Sequence, residues 1–461
     1  MADQNLVAAG GNSSAAASWE SVPLLGNSSG PPAAADDVYM LLASGDILID
    51  ATTNQWGSWA WGTYTGIIAF AAGQDILSDS CVSGPATLTG SGDIHIGDDG
   101  ADINDGLTID SWLGSWVFDG GAGSTGVLTA GNDDIGDVDI QTAGATSFTL
   151  GSDVHCSDLT LTSGVLNIST YDLYCDSLDS TNTTVTGSGD FVIGSGGFTY
   201  SGGTWSSFTG RHVVAASCTG DWNNGGQRMQ HLVINEGVTL TSGGLIYTEK
   251  ATLTGNLSMA HILDIRSATS SWWGVQTGTA TLTQLRMVFT NVGPGNDVTL
   301  ATGDVLIQNT NGNTLTWDAN LTTTEDFYIY SANNGTMTTD FAGYSLSARD
   351  LIIGHVSQAA RYGAVYLGEG THTLRNINSN TASGGILAFE TSHINLSGTL
   401  DGSDLTCSSD GIAYIRGGTV EKVTMSSGKL YCYGSTDGGG NDANVIFVRS
   451  GGGALLMMRS K

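Results

Sequence analysis

Carboxylates are the most abundant reactive groups in this chain: 44 Asp and Glu stand against 14 Lys and Arg in 461 residues. Two chemistries could use them. Glycoside cleavage needs two carboxyls about 5–9.5 Å apart, one of them holding its proton near neutral pH. Aspartate is so frequent that some pair meets that spacing by chance, while the adjacent Glu325-Asp326 opens a strand pattern in which neighbours face opposite ways. Calcium binding needs hard oxygen ligands at alternating positions. Asp98, Asp99, Asp102 and Asp105 in Asp98-Asp-Gly-Ala-Asp-Ile-Asn-Asp105 are the candidates, with a second acidic run over 132–139. Neither run matches an EF-hand loop or a Gly-Gly-x-Gly-x-Asp nonapeptide, and solvated corner turns are the competing reading. No other cofactor is expected.

Other constellations are sparse. A polysaccharide lyase would need a base beside clustered acids, and Arg211-His212 is the first place where one occurs. No phosphate-binding loop, H-E-x-x-H or G-x-S-x-G motif is present. His95 and His155 sit singly inside strand patterns. The six cysteines show no CxxC pair or zinc spacing and are too few for a disulfide framework, so they read as buried thiols. Tryptophans gather at Trp56, Trp59 and Trp61 near Tyr64, at Trp112 and Trp116, and at Trp272-Trp273. Exposed on a flat face, such rings stack on sugars or dock on protein; buried, they shield the end of a core. Trp19, Trp56, Trp59 and Trp61, with the apolar tail Leu455-Leu456-Met457-Met458, are the candidate interface residues.

The elements that must carry these groups are strands. Alternating runs of four to six residues, such as Asp46-Ile-Leu-Ile-Asp50, Asp158-Leu-Thr-Leu-Thr162 and Asp326-Phe-Tyr-Ile-Tyr330, recur between Gly, Ser, Asn and Asp clusters. Helical periodicity is confined to Ser13–Val22, where a cap-like Ser precedes an Ala-rich stretch. The runs also repeat. Thr89-Gly-Ser-Gly-Asp-Ile-His-Ile-Gly97 returns as Thr186-Gly-Ser-Gly-Asp-Phe-Val-Ile-Gly194. Gly398-Thr-Leu400 aligns with Gly418-Thr-Val420, Leu405 with Met425, and Cys156 with Cys175, each about 20 residues on. The reading is an all-β, right-handed parallel β-helix (a β-solenoid) with coils of about 20 residues. Inward side chains would form ladders, and Gly, Asn and Asp would turn the corners. At about 4.8 Å per coil the stack would make a rod of roughly 95 Å. Tandem β-sandwiches are the competitor, but Asn-Gly and Asp-Gly pairs do not fall consistently between matched strands. The expected organisation is an N-terminal cap or anchoring segment over 1–37, the β-helix over 38–433, and a C-terminal strand and tail over 434–461.

Charge narrows the partners. The first 210 residues hold 25 acids and no Lys or Arg, and the remainder holds 19 acids and 14 bases. Such a surface repels phosphate, so nucleic acid and anionic membranes are not expected partners. The longest apolar run, Gly66–Ala72, is too short to span a bilayer. The N-terminus lacks the basic and apolar regions of a secretory signal, so synthesis in a host cytoplasm is expected. Gly10-Gly-Asn12, Ala17-Ser-Trp19, Gly30-Pro-Pro32 and Ala35-Asp-Asp-Val-Tyr39 together resemble the lead-in to the first coil of β-helical virion proteins of tailed phages: fibres, spikes or head decorations. The resemblance covers about 40 residues. It implies a non-enzymatic structural protein on a virion surface, a homotrimer, and other virion proteins as partners. A tailspike-like polysaccharide depolymerase that meets a host surface glycan, and a cell-surface adhesin, are the alternatives.

Overall fold

A computed structural model of the chain describes residues 4–448 apart from 7–10, 16–18, 22–31, 35, 41–45, 54, 62, 104–105, 122–124, 132, 143–146, 223–227, 267–270, 289–292, 310–313, 332–334, 355–360, 368–370, 380–385, 390–392, 397–398, 402–404, 408–411, 422, 424, 428 and 442. The described residues form strands, turns and bends, with no helix. The fold is an all-β parallel β-solenoid, in which strands of one coil pair with strands of the next. It divides into two compact units, Met1–Ile246 and Tyr247–Lys461.

In the first unit the stacking shows as columns of side chains. Val154, Leu173, Phe191, His212 and Leu232 are successive register partners, spaced by 18 to 21 residues. Beside them run Cys156, Cys175, Ile193, Val214 and Ile234. Cys156 thus stands over Cys175 as the spacing predicts, and both are buried free thiols. A third column is Val38, Trp59, Cys81, Ala101, Leu128 and Leu150. Every member of the three columns is buried. A large apolar side chain so placed contributes about 1.5–3 kcal/mol relative to exposure. A smaller five-stranded parallel sheet, from Gly11–Asn12 through Thr108–Trp112, closes another wall.

The second unit repeats the plan. Val305, Phe327, Leu351, Ile377, Leu400 and Val420 form one buried column. A six-stranded parallel sheet runs from Thr314–Thr316 to Met425–Ser427. Both alignments read from the sequence are register pairs: Leu400 with Val420, and Leu405 with Met425.

The nine-residue repeat encodes one kind of corner, used twice. Gly90 and Gly187 take φ of 93° and 116°, where an L side chain is strained. A Cβ on Gly92 or Gly189 would lie 1.7 Å from the carbonyl oxygen of Gln74 or Tyr171 in the coil before.

The short helix that Ser13–Val22 could form is not seen among the described residues of that stretch. Trp19–Ser21 is a strand, antiparallel to Gln4–Leu6, which in turn pairs in parallel with Asp37–Tyr39. The hydroxyls of Ser13 and Ser14 both donate to Asp50, at 3.2 and 2.7 Å, so the cap-like serines bind a neighbouring coil instead of opening a helix. Pairing across residue 37 begins the stack at Gln4, and Val445–Val448 extends it by pairing with Lys429–Tyr433.

Candidate functional site

The carboxylates show their commonest use at the coil corners. The backbone N–H of Asp172 donates to Asp153 Oδ1 at 2.9 Å. That of Asp190 donates to Asp172 Oδ1 at 2.8 Å, and that of Arg211 to Asp190 Oδ1 at 2.9 Å. Each acid lies just before a strand and accepts the amide of the residue before the next coil's strand or, at Arg211, of the residue that begins it. Arg211 then closes the series, its guanidinium gripping Asp190 through Nε (2.8 Å) and Nη2. An earlier series runs from Asp75 through Asp93 to Ser115, each step at 2.9 Å. In the second unit Asp304 accepts the N–H of Asp326 at 3.1 Å, and Arg349 Nε donates to Asp326 at 2.7 Å. These bonds satisfy amides at corners, where the sheet ladder is interrupted.

Sequence inspection missed this role, although the signal was present. Asp followed by apolar-x-apolar recurs at Asp93, Asp172, Asp190, Asp304 and Asp326, and the pairs Asp172–Asp190 and Asp304–Asp326 are each about one coil apart. Taken singly, each looks like a surface acid at a strand start.

A titratable cluster lies on an outer face of the first unit. His95 and Asp139 point outward from the strands Ile94–Ile103 and Asp137–Gln141, with Val117 of Ser115–Phe118 between them in register. His95 Nδ1 lies 2.7 Å from Asp119 Oδ2. The hydrogen bond to Asp119 leads in raising the His95 pKa, aided by the charges of Asp119, Asp75 and Asp93. Asp139 is half-buried. Burial chiefly raises its pKa, Asp93 and Asp119 add to the rise, and the Thr162 hydroxyl, donating at 3.0 Å, opposes it. A carboxyl with a raised pKa near a histidine–carboxylate pair is one element of acid–base hydrolysis. Nearby, a shallow groove of about 460 Å³ is lined by Asp134, His155, Ser157, Tyr174, Asp176 and Val192. The His155 and Tyr174 rings stack there at 4.2 Å between centroids.

The residues singled out from sequence fare differently. Trp56, Trp59 and Trp61 are at most 1% exposed and belong to the core, so the expectation of an interface formed by these rings is corrected. Trp59 and Trp61, two residues apart, share the inward face, and Trp56, three before Trp59, is buried as well; the rings meet inside (Trp56–Trp59, 6.1 Å; Trp59–Trp61, 4.1 Å; Trp61–Trp116, 6.3 Å). The Trp112 and Trp272-Trp273 clusters are likewise buried. Of Trp19 only the backbone is described, in its antiparallel pair. Leu455, Leu456, Met457 and Met458 lie outside the described residues.

The calcium candidates do not converge. Asp98, Asp99 and Asp102 are exposed on one strand, Asp98 accepts the N–H of Gly121 at 2.9 Å, and Asp105 lies outside the described residues. Among the described residues no group of three or more His, Cys, Asp or Glu is arranged to hold a metal ion. Asp98 and Asp99 fall where the strand register shifts between Ile96 and Gly100, and Asp102 lies beyond it, so the three are strung along the chain, whereas calcium needs them gathered.

Glu325 and Asp326 do not face opposite ways as expected. Both reach Arg349, because Asp326 lies just before the strand Phe327–Ser331 and escapes its alternation. Their charge is balanced by a cation, which suits bracing better than proton transfer. Arg211 and His212, the candidate bases, are placed apart in role. Arg211 is paired with Asp190, and His212 is sealed in the core. Comparison with protein-family models, curated proteins and solved structures finds no match for this chain.

Proposed function

We propose that the chain is a non-enzymatic structural protein of a virus particle, a fibre, spike or head decoration of the tailed-phage kind, displayed on the virion surface. In this reading it assembles as a homotrimer and binds other virion proteins. The observation that carries the structural role is the consumption of acids as coil-to-coil braces, seen in the Asp153–Asp172–Asp190–Arg211 series. A chain that invests its carboxylates in joining coils gains stiffness along the stack and a negatively charged, soluble exterior. The particle assignment rests on the N-terminal resemblance.

A second reading has one specific observation in its favour. The His95–Asp119 pair and Asp139, whose pKa is raised by burial, form the one outward-facing arrangement described above that fits a glycan depolymerase. One experiment separates the two: incubation of the purified chain with host-surface polysaccharides, followed by a reducing-end assay. The structural role predicts no release above buffer. Release that disappears in Asp139→Asn would establish the depolymerase. Immunogold labelling of particles with an antibody to the chain tests the location, and light scattering of the purified chain tests the trimer.

A further inference from the structure

His212 interrupts its own column. Val154, Leu173 and Phe191 precede it and Leu232 follows, all apolar and buried. Its ring is fully buried among Phe191, Tyr200, Trp205, Phe208 and Trp222, whose centroids lie 5.2 to 6.0 Å away. Neither Nδ1 nor Nε2 has a hydrogen-bond partner, and the same holds for the Tyr200 hydroxyl and Trp205 Nε1 beside it. A leucine or phenylalanine would fill the column without leaving polar atoms unpaired.

We propose that His212 is an acid-sensitive latch: the coils around it close only over a neutral imidazole, and proton uptake opens them locally. A protonated ring would bring two N–H donors and a charge into an aromatic chamber where neither nitrogen has a hydrogen-bond partner. The aromatic faces offer a cation some attraction, but not the hydrogen bonds that both donors lose on leaving water. The charged and titratable groups around it do not reverse this. Asp190, before the strand Phe191–Tyr200, favours the cation but is bound to Arg211. His231, on Met229–Ile234 of the next coil, disfavours it. Tyr200 touches the ring and is itself held neutral by burial. The ring accordingly titrates at about 3, with burial as the leading cause.

The sign follows. A histidine whose pKa is lower folded than unfolded leaves the folded state short of a proton, so stability falls as pH drops below about 6.5 and goes on falling toward 3. Between pH 7 and 5 this one group raises the opening constant about 25-fold. Hydrogen–deuterium exchange of the full chain, corrected for intrinsic rates, reads this directly. Peptides covering 191–222 should lose about 25-fold in protection from pH 7 to 5, and peptides covering 147–168 much less. In His212→Phe the loss should fall below about threefold. His212→Leu, which restores the column's own chemistry, serves should the phenylalanine overfill the site. Equal losses in wild type and variant, or no loss in wild type, would overturn the latch.

Discussion

At the scale of single residues, electrostatics sorts the acids into braces and strained exceptions. Asp264 is the most deeply set brace, fully buried and gripped by Arg286 and by Arg266, whose Nε and Nη2 donate at 3.0 and 2.9 Å. Removing a buried partner strands the others. Asp264→Ala should therefore lower unfolding stability by about 3 kcal/mol in urea denaturation, a value already reduced for the partial exposure of both arginines. Asp139 behaves in the opposite way. Its folded pKa is raised, so the folded state holds its proton more tightly, and stability falls as pH rises from 3.8 through the folded value. Asp139→Asn should accordingly leave the chain unchanged or up to about 1 kcal/mol more stable at pH 7, with less dependence on pH between 4 and 6. A clear loss of stability at pH 7 would show that the carboxylate is needed structurally. Carboxylates such as Asp98 and Asp172 look like isolated surface acids in sequence, because the amides they accept, those of Gly121 and Asp190, lie 23 and 18 residues away.

At the scale of the element, the coil period was legible and the contents of the coil less so. Strand alternation, the 20-residue alignments near residues 400–425, and the Cys156–Cys175 rung were readable because a parallel stack repeats its inward positions. The N-terminal helix was misread because local serine and alanine preferences ignore Asp50, 37 residues away, to which Ser13 is tied. Trp59 and Trp61 were ambiguous because alternation fixes which residues share a face, not which face is inside. Burial decides it, and Trp59→Ala should cost about 3–5 kcal/mol in a urea melt. The glycine corner gives a sharper test. Gly189→Ala places a Cβ against the Tyr171 carbonyl and should cost roughly 2–4 kcal/mol, whereas alanine at Gly243, which has open space, should cost far less. Similar costs at both positions would argue against the corner geometry.

At the scale of the whole molecule, 44 acids with 14 bases make a chain whose self-repulsion must be offset from within. The braces do this in part by turning carboxylates toward backbone amides, and the described series Asp153–Asp190 ends on Arg211, the first cation in the sequence. The exterior charge that remains is screened by salt, so stability should rise between 10 and 300 mM NaCl. The structural role depends above all on the acids joining one coil to the next. Asp172 tests this most directly, since it accepts the amide of Asp190 and donates its own to Asp153. In urea at pH 7, Asp172→Ala is predicted to lose about 1.5–3 kcal/mol, and an unchanged midpoint would contradict the assignment of these carboxylates as braces.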